Sequence, residues 1–126
     1  MIKNKFMKNP DNIYETINKE NTKHDYILMI QEIMEQHAGL IRNMDLIKQG
    51  LESLQNKKQL LNINENFYGR INHLFNVSEM ILRSALERTE SRGYHYLTDY
   101  PNRDDDKWQK NVYLFKQNNS MRIEVE

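Results

Sequence analysis

The sequence has no cysteine, little glycine and proline, no excess of either charge and no long apolar run. Without cysteine the chain has no disulfide, no thiolate zinc site and no iron–sulfur ligation. Lysine plus arginine number 18, as do aspartate plus glutamate, so no net field favours nucleic acid or an anionic membrane. A mean hydropathy of −0.89 argues against a membrane-spanning helix and direct membrane insertion.

The four glycines are isolated, and none of them opens a strand–helix unit. Nucleotide-binding loops need clustered glycines there, because the backbone N–H groups must approach the phosphates closely. We therefore expect no nucleotide cradle in this chain. The first residues also lack the apolar segment of a signal peptide. A length of 126 residues then indicates a single domain, which we expect to be cytoplasmic.

Two helical patterns occupy residues 22–61. Thr22 begins a capping box, Gly39 ends the first helix, and Asn43 is a natural N-cap for the second. Gly50, inside the second helix, costs about 1 kcal/mol relative to alanine, which indicates close approach of another helix. The positions expected to face inward are Tyr26, Ile27, Ile30, Ile33, Met34 and His37, then Met44, Ile47, Leu51, Leu54 and Leu61.

A third helical pattern runs from about Glu65 to Arg92, where Gly93 is typical of a C-terminus that turns through positive φ. Its expected inward face is Ile71, Leu74, Val77, Ile81 and Ala85. Farther on, apolar and polar residues alternate on both sides of Asn118-Asn-Ser120, which predicts a short hairpin.

Helices joined by short turns bury their apolar faces best as an up-down-up arrangement. We therefore predict an all-α fold, an antiparallel three-helix bundle (spectrin-repeat-like) with an extended C-terminal segment and a short hairpin. In this interpretation residues 1–20 are a loose or short-helix segment, residues 21–92 are the bundle, and residues 93–126 are the extended segment and hairpin.

The segment Arg88–Trp108 differs in composition from the helices before it. Within it lie three arginines, a histidine, three tyrosines, four aspartates and the only tryptophan. Pro101 disfavours helix at Tyr100 and keeps the segment extended. Tyrosine, tryptophan and arginine dominate protein–protein hot spots, so we interpret the segment as a docking strip.

Three blocks of this segment carry a family resemblance. Glu90-Ser-Arg-Gly-Tyr-His-Tyr, Asp99-Tyr-Pro and Arg103-Asp-Asp-Asp-Lys-Trp resemble the C-terminal signature of succinate dehydrogenase and fumarate reductase flavoproteins. L-aspartate oxidase and the adenylylsulfate reductase flavoprotein are relatives of these enzymes. Ile30-Gln-Glu-Ile-Met and His37-Ala-Gly-Leu-Ile-Arg-Asn resemble the first helix and turn of the same domain, so the resemblance covers roughly residues 25–108.

The resemblance implies a full-length enzyme with an FAD-binding domain, a capping domain and this helical domain, and it allows an iron–sulfur subunit as a further partner. Flavin chemistry on a dicarboxylate would belong to the other domains, so no catalytic, FAD-contacting or metal-binding residue is assigned here. The resemblance implies structural support and docking in cis or trans, as a fragment or separate subunit, with membrane association only through partner subunits. The residues assigned to docking are Arg88, Glu90, Arg92, His95, Tyr96, Asp99 and Trp108. The alternative is a stand-alone helical interaction module that kept the fold and lost the enzyme.

Three groups within the segment have competing interpretations. The aspartates at 104–106 could bind a cation, but their spacing lacks the calcium-loop pattern and favours a capped turn. His95 could act in acid–base chemistry, but it has no partner of the triad type, which favours a structural hydrogen bond. Arg88 and Arg92, one helical turn apart, could bind an anion or form an ion-pair lock with another domain; the lock is favoured. We expect both arginines to be largely solvated in the isolated chain.

Overall fold

The computed structural model describes residues 23–60, 69–118 and 120–126. This part of the chain is mostly helical, as predicted, with two small two-stranded sheets. The elements in chain order are α1 (Lys23–His37), β1 (Ile41–Arg42), α2 (Met44–Leu60), α3 (Gly69–Glu87), β2 (Tyr96–Leu97), α4 (Asp105–Trp108), β3 (Val112–Gln117) and β4 (Ser120–Val125). No helix in these described ranges is long and apolar enough to cross a membrane.

The turn between α1 and α2 forms as the sequence predicts. Helix α1 ends at His37, two residues before Gly39. Asn43 caps α2, because its Oδ1 accepts a hydrogen bond of 2.8 Å from the backbone N–H of Leu46. The proposed cap of α1, Thr22, lies outside the described residues, as do Leu61 and the predicted start of the third helix at Glu65.

Gly50 marks the point where α2 meets the other two long helices, which confirms the predicted close approach. A Cβ atom on Gly50 would lie 2.6 Å from Cβ of His37 in α1 and 3.2 Å from Cδ1 of Leu82 in α3. Farther along α2, Lys58 Nζ donates to Asn76 Oδ1 over 2.7 Å. Since later residues of α2 contact earlier residues of α3, these two helices run in opposite directions.

The core lies between α1, α2 and α3, and Leu97 of β2 closes one end of it. Its buried apolar residues are Ile30, Ile33, Ile47, Leu54, Ile71, Phe75, Leu82, Ala85 and Leu97. In α1 and α2 every buried core residue belongs to the predicted inward face.

The predicted inward face of α3 is partly wrong. Its buried residues are Ile71, Phe75, Ser78, Leu82 and Ala85. Val77 and Ile81 are 51% and 42% exposed. Helix α3 carries two adjoining apolar stripes, and Ile81 of the second stripe lines a pocket together with Val112 of β3. Hydrophobic spacing alone could not tell which stripe faces the core.

The predicted end of the third helix at Arg92 is also wrong, since α3 ends at Glu87. Gly93 does have a positive φ of 58°, but it serves a different turn. Arg92 and His95 exchange two backbone hydrogen bonds of 2.9 and 3.0 Å, which close a tight reversal around Gly93. The residues after α3 therefore fold back on themselves before they reach β2.

One sheet joins β2 of the C-terminal segment to β1, between α1 and α2, and the other sheet is formed by β3 and β4 within that segment. Strands β1 and β2 are parallel and place Ile41 opposite Tyr96. Strands β3 and β4 form the predicted antiparallel hairpin, with Leu114 opposite Ile123. Asn118, in the turn of this hairpin, has a φ of 46°, a conformation that asparagine tolerates better than most residues.

Candidate functional site

A fully buried carboxylate, Glu90, lies at the centre of the Arg88–Trp108 segment. Its Oε1 accepts hydrogen bonds from Arg88 Nη1 (2.7 Å) and Arg92 Nε (2.6 Å). Its Oε2 accepts from Arg92 Nη2 (3.1 Å) and the backbone N–H of Asp104 (2.7 Å). These bonds, those from Arg92 first, lower the pKa of Glu90 from 4.5 to about 2 although burial opposes the shift. Glu90 is therefore an ionised structural centre.

Arg88 ties the end of α3 to the segment that carries α4. Besides Glu90, its guanidinium donates to the backbone oxygens of Trp108 (2.9 Å) and Lys110 (2.6 Å). The same guanidinium lies over the indole of Trp108, 5.2 Å from the ring centroid, at cation–π distance. Its side chain is only 16% exposed.

Arg92 bridges two carboxylates, those of Glu90 and Asp105, the second through a 2.6 Å bond from Nη2. Hydrogen bonds to these carboxylates, that to Glu90 first, raise the pKa of Arg92 above its ordinary value. The expectation that Arg88 and Arg92 are largely solvated is wrong, because Glu90 between them draws both guanidinium groups inward. They converge from positions beyond α3, not as neighbours on one helix face.

The aspartates at 104–106 begin α4 and pair with arginines. Asp104 Oδ1 accepts from the backbone N–H of Lys107 at 3.1 Å, so the predicted capping role is confirmed. Asp105 accepts from Arg103 and Arg92, which lower its pKa in that order. Within the described ranges no cluster of three or more acidic, histidine or cysteine residues could hold a metal ion.

Trp108 is buried beside Glu90 and anchors α4 to the end of α3. Its Nε1 donates to Thr89 Oγ1 over 2.9 Å, and Lys107 Nζ donates to the same hydroxyl over 3.2 Å. The indole is 5% exposed. Trp108 therefore acts as a core residue of the segment, although its residue type suggested a docking contact.

His95 joins the segment to β1. Its Nδ1 lies 3.2 Å from Arg42 Nη1 and its Nε2 lies 3.2 Å from the backbone oxygen of Arg88. Both contacts are hydrogen bonds when the neutral ring accepts at Nδ1 and donates from Nε2. Burial lowers the pKa of His95, which favours this neutral form. The geometry agrees with the structural hydrogen-bonding role predicted for His95.

Asp99 and Tyr96 complete the set of residues assigned to docking. Asp99 Oδ2 accepts a 2.8 Å hydrogen bond from the backbone N–H of Met44, at the start of α2. Tyr96 is 44% exposed on β2. The structure thus gathers six of the seven assigned residues into contacts within the chain, whereas Tyr96 presents its side chain outward.

Arg42 is a residue of this site that sequence analysis did not single out. Its Nε donates to the oxygen of Gly39 (3.0 Å), and its Nη2 donates to the oxygen of Ala38 (3.2 Å). With His95 it lines a pocket of about 330 Å³. The sequence did contain a signal for Arg42, because this residue lies within the block that begins at His37 and resembles the family's first turn.

Comparison with known proteins agrees with this resemblance. The family model described as fumarate reductase flavoprotein C-term matches residues 28–126. The chain belongs to this family. It is 33% identical over 129 residues to a succinate dehydrogenase flavoprotein subunit of Coxiella burnetii, covering 86% of this chain and 22% of that protein. It is 34% identical over 92 residues to a fumarate reductase flavoprotein subunit of Helicobacter pylori, covering 63% and 13%.

The fold of the family is also seen in solved structures. A chain of Escherichia coli quinol fumarate reductase superposes with a TM-score of 0.70 at 21% identity, covering 84% of this chain and 21% of that one. At this identity the likeness shows the fold alone. The chain thus spans only about a fifth or less of the length of these relatives.

Proposed function

We propose that this flavoprotein C-terminal domain supports and docks onto the flavin domain of an FAD-dependent oxidoreductase, without chemistry of its own. The observation that carries the proposal is the state of the signature residues. Glu90 is fully buried and ionised, and its partners Arg88 and Arg92 are already engaged. Such a set holds a loop in one shape and leaves no free nucleophile or base for catalysis.

The shape that these residues fix includes an exposed apolar face, which we assign to docking. Ile41 and Tyr96 lie opposite each other in the β1–β2 register and are 71% and 44% exposed. Leu40, next to Ile41 in the chain, and Tyr94, two residues before Tyr96, are 80% and 91% exposed. Large apolar groups that cluster on a surface mark an interaction site more often than a solvated one. Of the seven residues assigned to docking, Tyr96 makes the contact and the others position it.

The proposed partners are the FAD-binding and capping domains, in cis or in trans, with an iron–sulfur subunit beyond them. The domain would then be cytoplasmic, reaching a membrane only through such subunits. Its three long helices would form the predicted up-down-up bundle, which ends at Glu87 and not at Arg92, and the opposite directions of α2 and α3 support this arrangement. FAD would be held by the flavin domain and not by this chain.

Binding to a separately expressed flavin domain from the same organism tests this proposal. Tyr96→Ala and Ile41→Ala should each weaken binding at least tenfold, about 1.4 kcal/mol, because hot-spot truncations cost about 2 kcal/mol or more. Tyr113→Ala is the matched control, since Tyr113 is 42% exposed on the hairpin and should leave the affinity unchanged.

Two outcomes contradict the proposal. If Tyr96→Ala, Ile41→Ala and Tyr113→Ala bind the flavin domain with equal affinity, the docking surface lies elsewhere on the chain. If the chain melts cooperatively, and is therefore folded, but forms no complex with the flavin domain, the result would favour the stand-alone interaction module.

A further inference from the structure

Arg42 is partly buried and, unlike the other partly buried arginines, has no acidic partner among the described residues. Ion pairs with carboxylates are formed by Arg83, Arg88, Arg92, Arg103 and Arg122. In the described ranges Arg42 and Arg70 have none, and Arg70 is exposed. A partly buried cation without a counter-ion is unfavourable, because desolvation penalises the charged form. Burial accordingly lowers the pKa of Arg42.

The guanidinium of Arg42 is held in place but not saturated. It has five N–H groups, and those that donate to Gly39, Ala38 and His95 use one each. Two N–H groups therefore remain for a further acceptor. Because neutral carbonyls and a neutral imidazole supply the existing acceptors, none of them compensates the positive charge.

The pocket beside Arg42 has walls that suit an anion. Its polar lining residues are Arg42, Arg88, His95, Ser84 and Asn111, and no carboxylate side chain lines it among the residues that the structure describes. Its apolar wall is made of Ile81, Ala85 and Val112. A volume of about 330 Å³ lies at the small end of the range for ligand sites, roughly 300–1,000 Å³.

We propose that this pocket, between α3, β1 and the start of β3, binds a carboxylate against Arg42. The planar guanidinium matches a carboxylate better than it matches a spherical anion, and its two remaining N–H groups supply the donors. The carboxylate can come from a small molecule or from an aspartate or glutamate of a docked protein. The pocket is separate from the exposed β1–β2 face, so the inference does not depend on the proposed docking of Tyr96.

Titration of the 126-residue chain with acetate, at constant ionic strength, tests the proposal. The readouts are the NMR signals of the Arg42 Nε–H and the His95 ring. We expect saturable shifts of both signals, and weaker binding of inorganic phosphate. Arg42→Gln should reduce acetate affinity at least tenfold, whereas Arg70→Gln, which removes an exposed arginine, should leave it unchanged.

A second variant covers the case in which Arg42→Gln loosens the fold. Asn111→Asp changes an exposed residue that lines the pocket, where a new carboxylate can occupy the site. This variant should lose acetate binding at least tenfold while Arg42 remains. Absence of saturation in the parent chain, or unchanged acetate affinity in Asn111→Asp or in a folded Arg42→Gln variant, would overturn the proposal.

The flavin-domain binding assay distinguishes a carboxylate of the flavin domain from a carboxylate of a small molecule. If a side chain of the flavin domain supplies it, Arg42→Gln and saturating acetate should both weaken that complex at least tenfold. If a small molecule supplies it, the complex should be insensitive to both while acetate still binds the chain alone.

Discussion

Replacement of Glu90 by glutamine should remove a large part of the domain's stability. Glutamine keeps the size of the side chain but removes its charge and turns one acceptor oxygen into an N–H donor, which would then face arginine or backbone N–H groups. Arg92 would keep Asp105 as a partner, whereas Arg88 has no other carboxylate within ion-pairing distance in the described ranges. Removing one partner of a buried ion pair costs on the order of 3–5 kcal/mol.

That loss is measurable because small domains are stable by only about 5–15 kcal/mol. Urea unfolding followed by circular dichroism gives the free energy of unfolding of the parent chain and of Glu90→Gln. Glu124→Gln is the matched control, since Glu124 pairs with Arg122, whose side chain is 59% exposed, and should change this free energy by about 0.5 kcal/mol or less. A loss below about 1 kcal/mol in Glu90→Gln would refute the view that this carboxylate holds the segment together.

Three further predictions follow from the same geometry. Folding lowers the pKa of Glu90 from 4.5 to about 2, so its contribution to stability is complete above pH 4.5 and is lost as the pH falls through 2. The free energy of unfolding should therefore depend less on pH in this range for Glu90→Gln than for the parent chain. Phe75→Ala should cost about 3–5 kcal/mol in urea unfolding and Ile81→Ala less than about 1.5 kcal/mol; the reverse order would mean that α3 buries the other stripe. Gly50→Ala should lower the melting temperature, because the clash of a Cβ atom 2.6 Å from Cβ of His37 costs more than the roughly 1 kcal/mol gained in helix propensity. A higher melting temperature would contradict the close approach.

Sequence reasoning predicted the features that depend on neighbouring residues. The cap at Asn43 and the stop before Gly39 are local, so the pattern of a few residues was sufficient. The close approach at Gly50 was predictable because glycine inside a helix carries a cost that needs a reason. The face of α3 was not predictable in the same way, since both apolar stripes satisfy the helical period and only the packing against α1 and α2 decides which of them is buried.

The composition of the Arg88–Trp108 segment showed that it was unusual but not what its residues contact. The contact between Arg42 and His95 joins residues 53 positions apart, and that between Met44 and Asp99 spans 55 positions. Such contacts depend on the path of the chain after α3, and the helical pattern predicts an end at Arg92, whereas α3 ends at Glu87. Once α3 ends at Glu87, the segment can close on Glu90, which turns the arginines from surface groups into internal ones.

The flavin content of the native protein, isolated from its source organism, shows whether this domain serves a flavin-binding enzyme. We expect about one FAD for each copy of this domain, whether the flavin domain lies on the same polypeptide or on a tightly bound partner. Native protein that carries no flavin, while the domain within it is folded, would contradict the claim that this domain supports a flavin-binding enzyme.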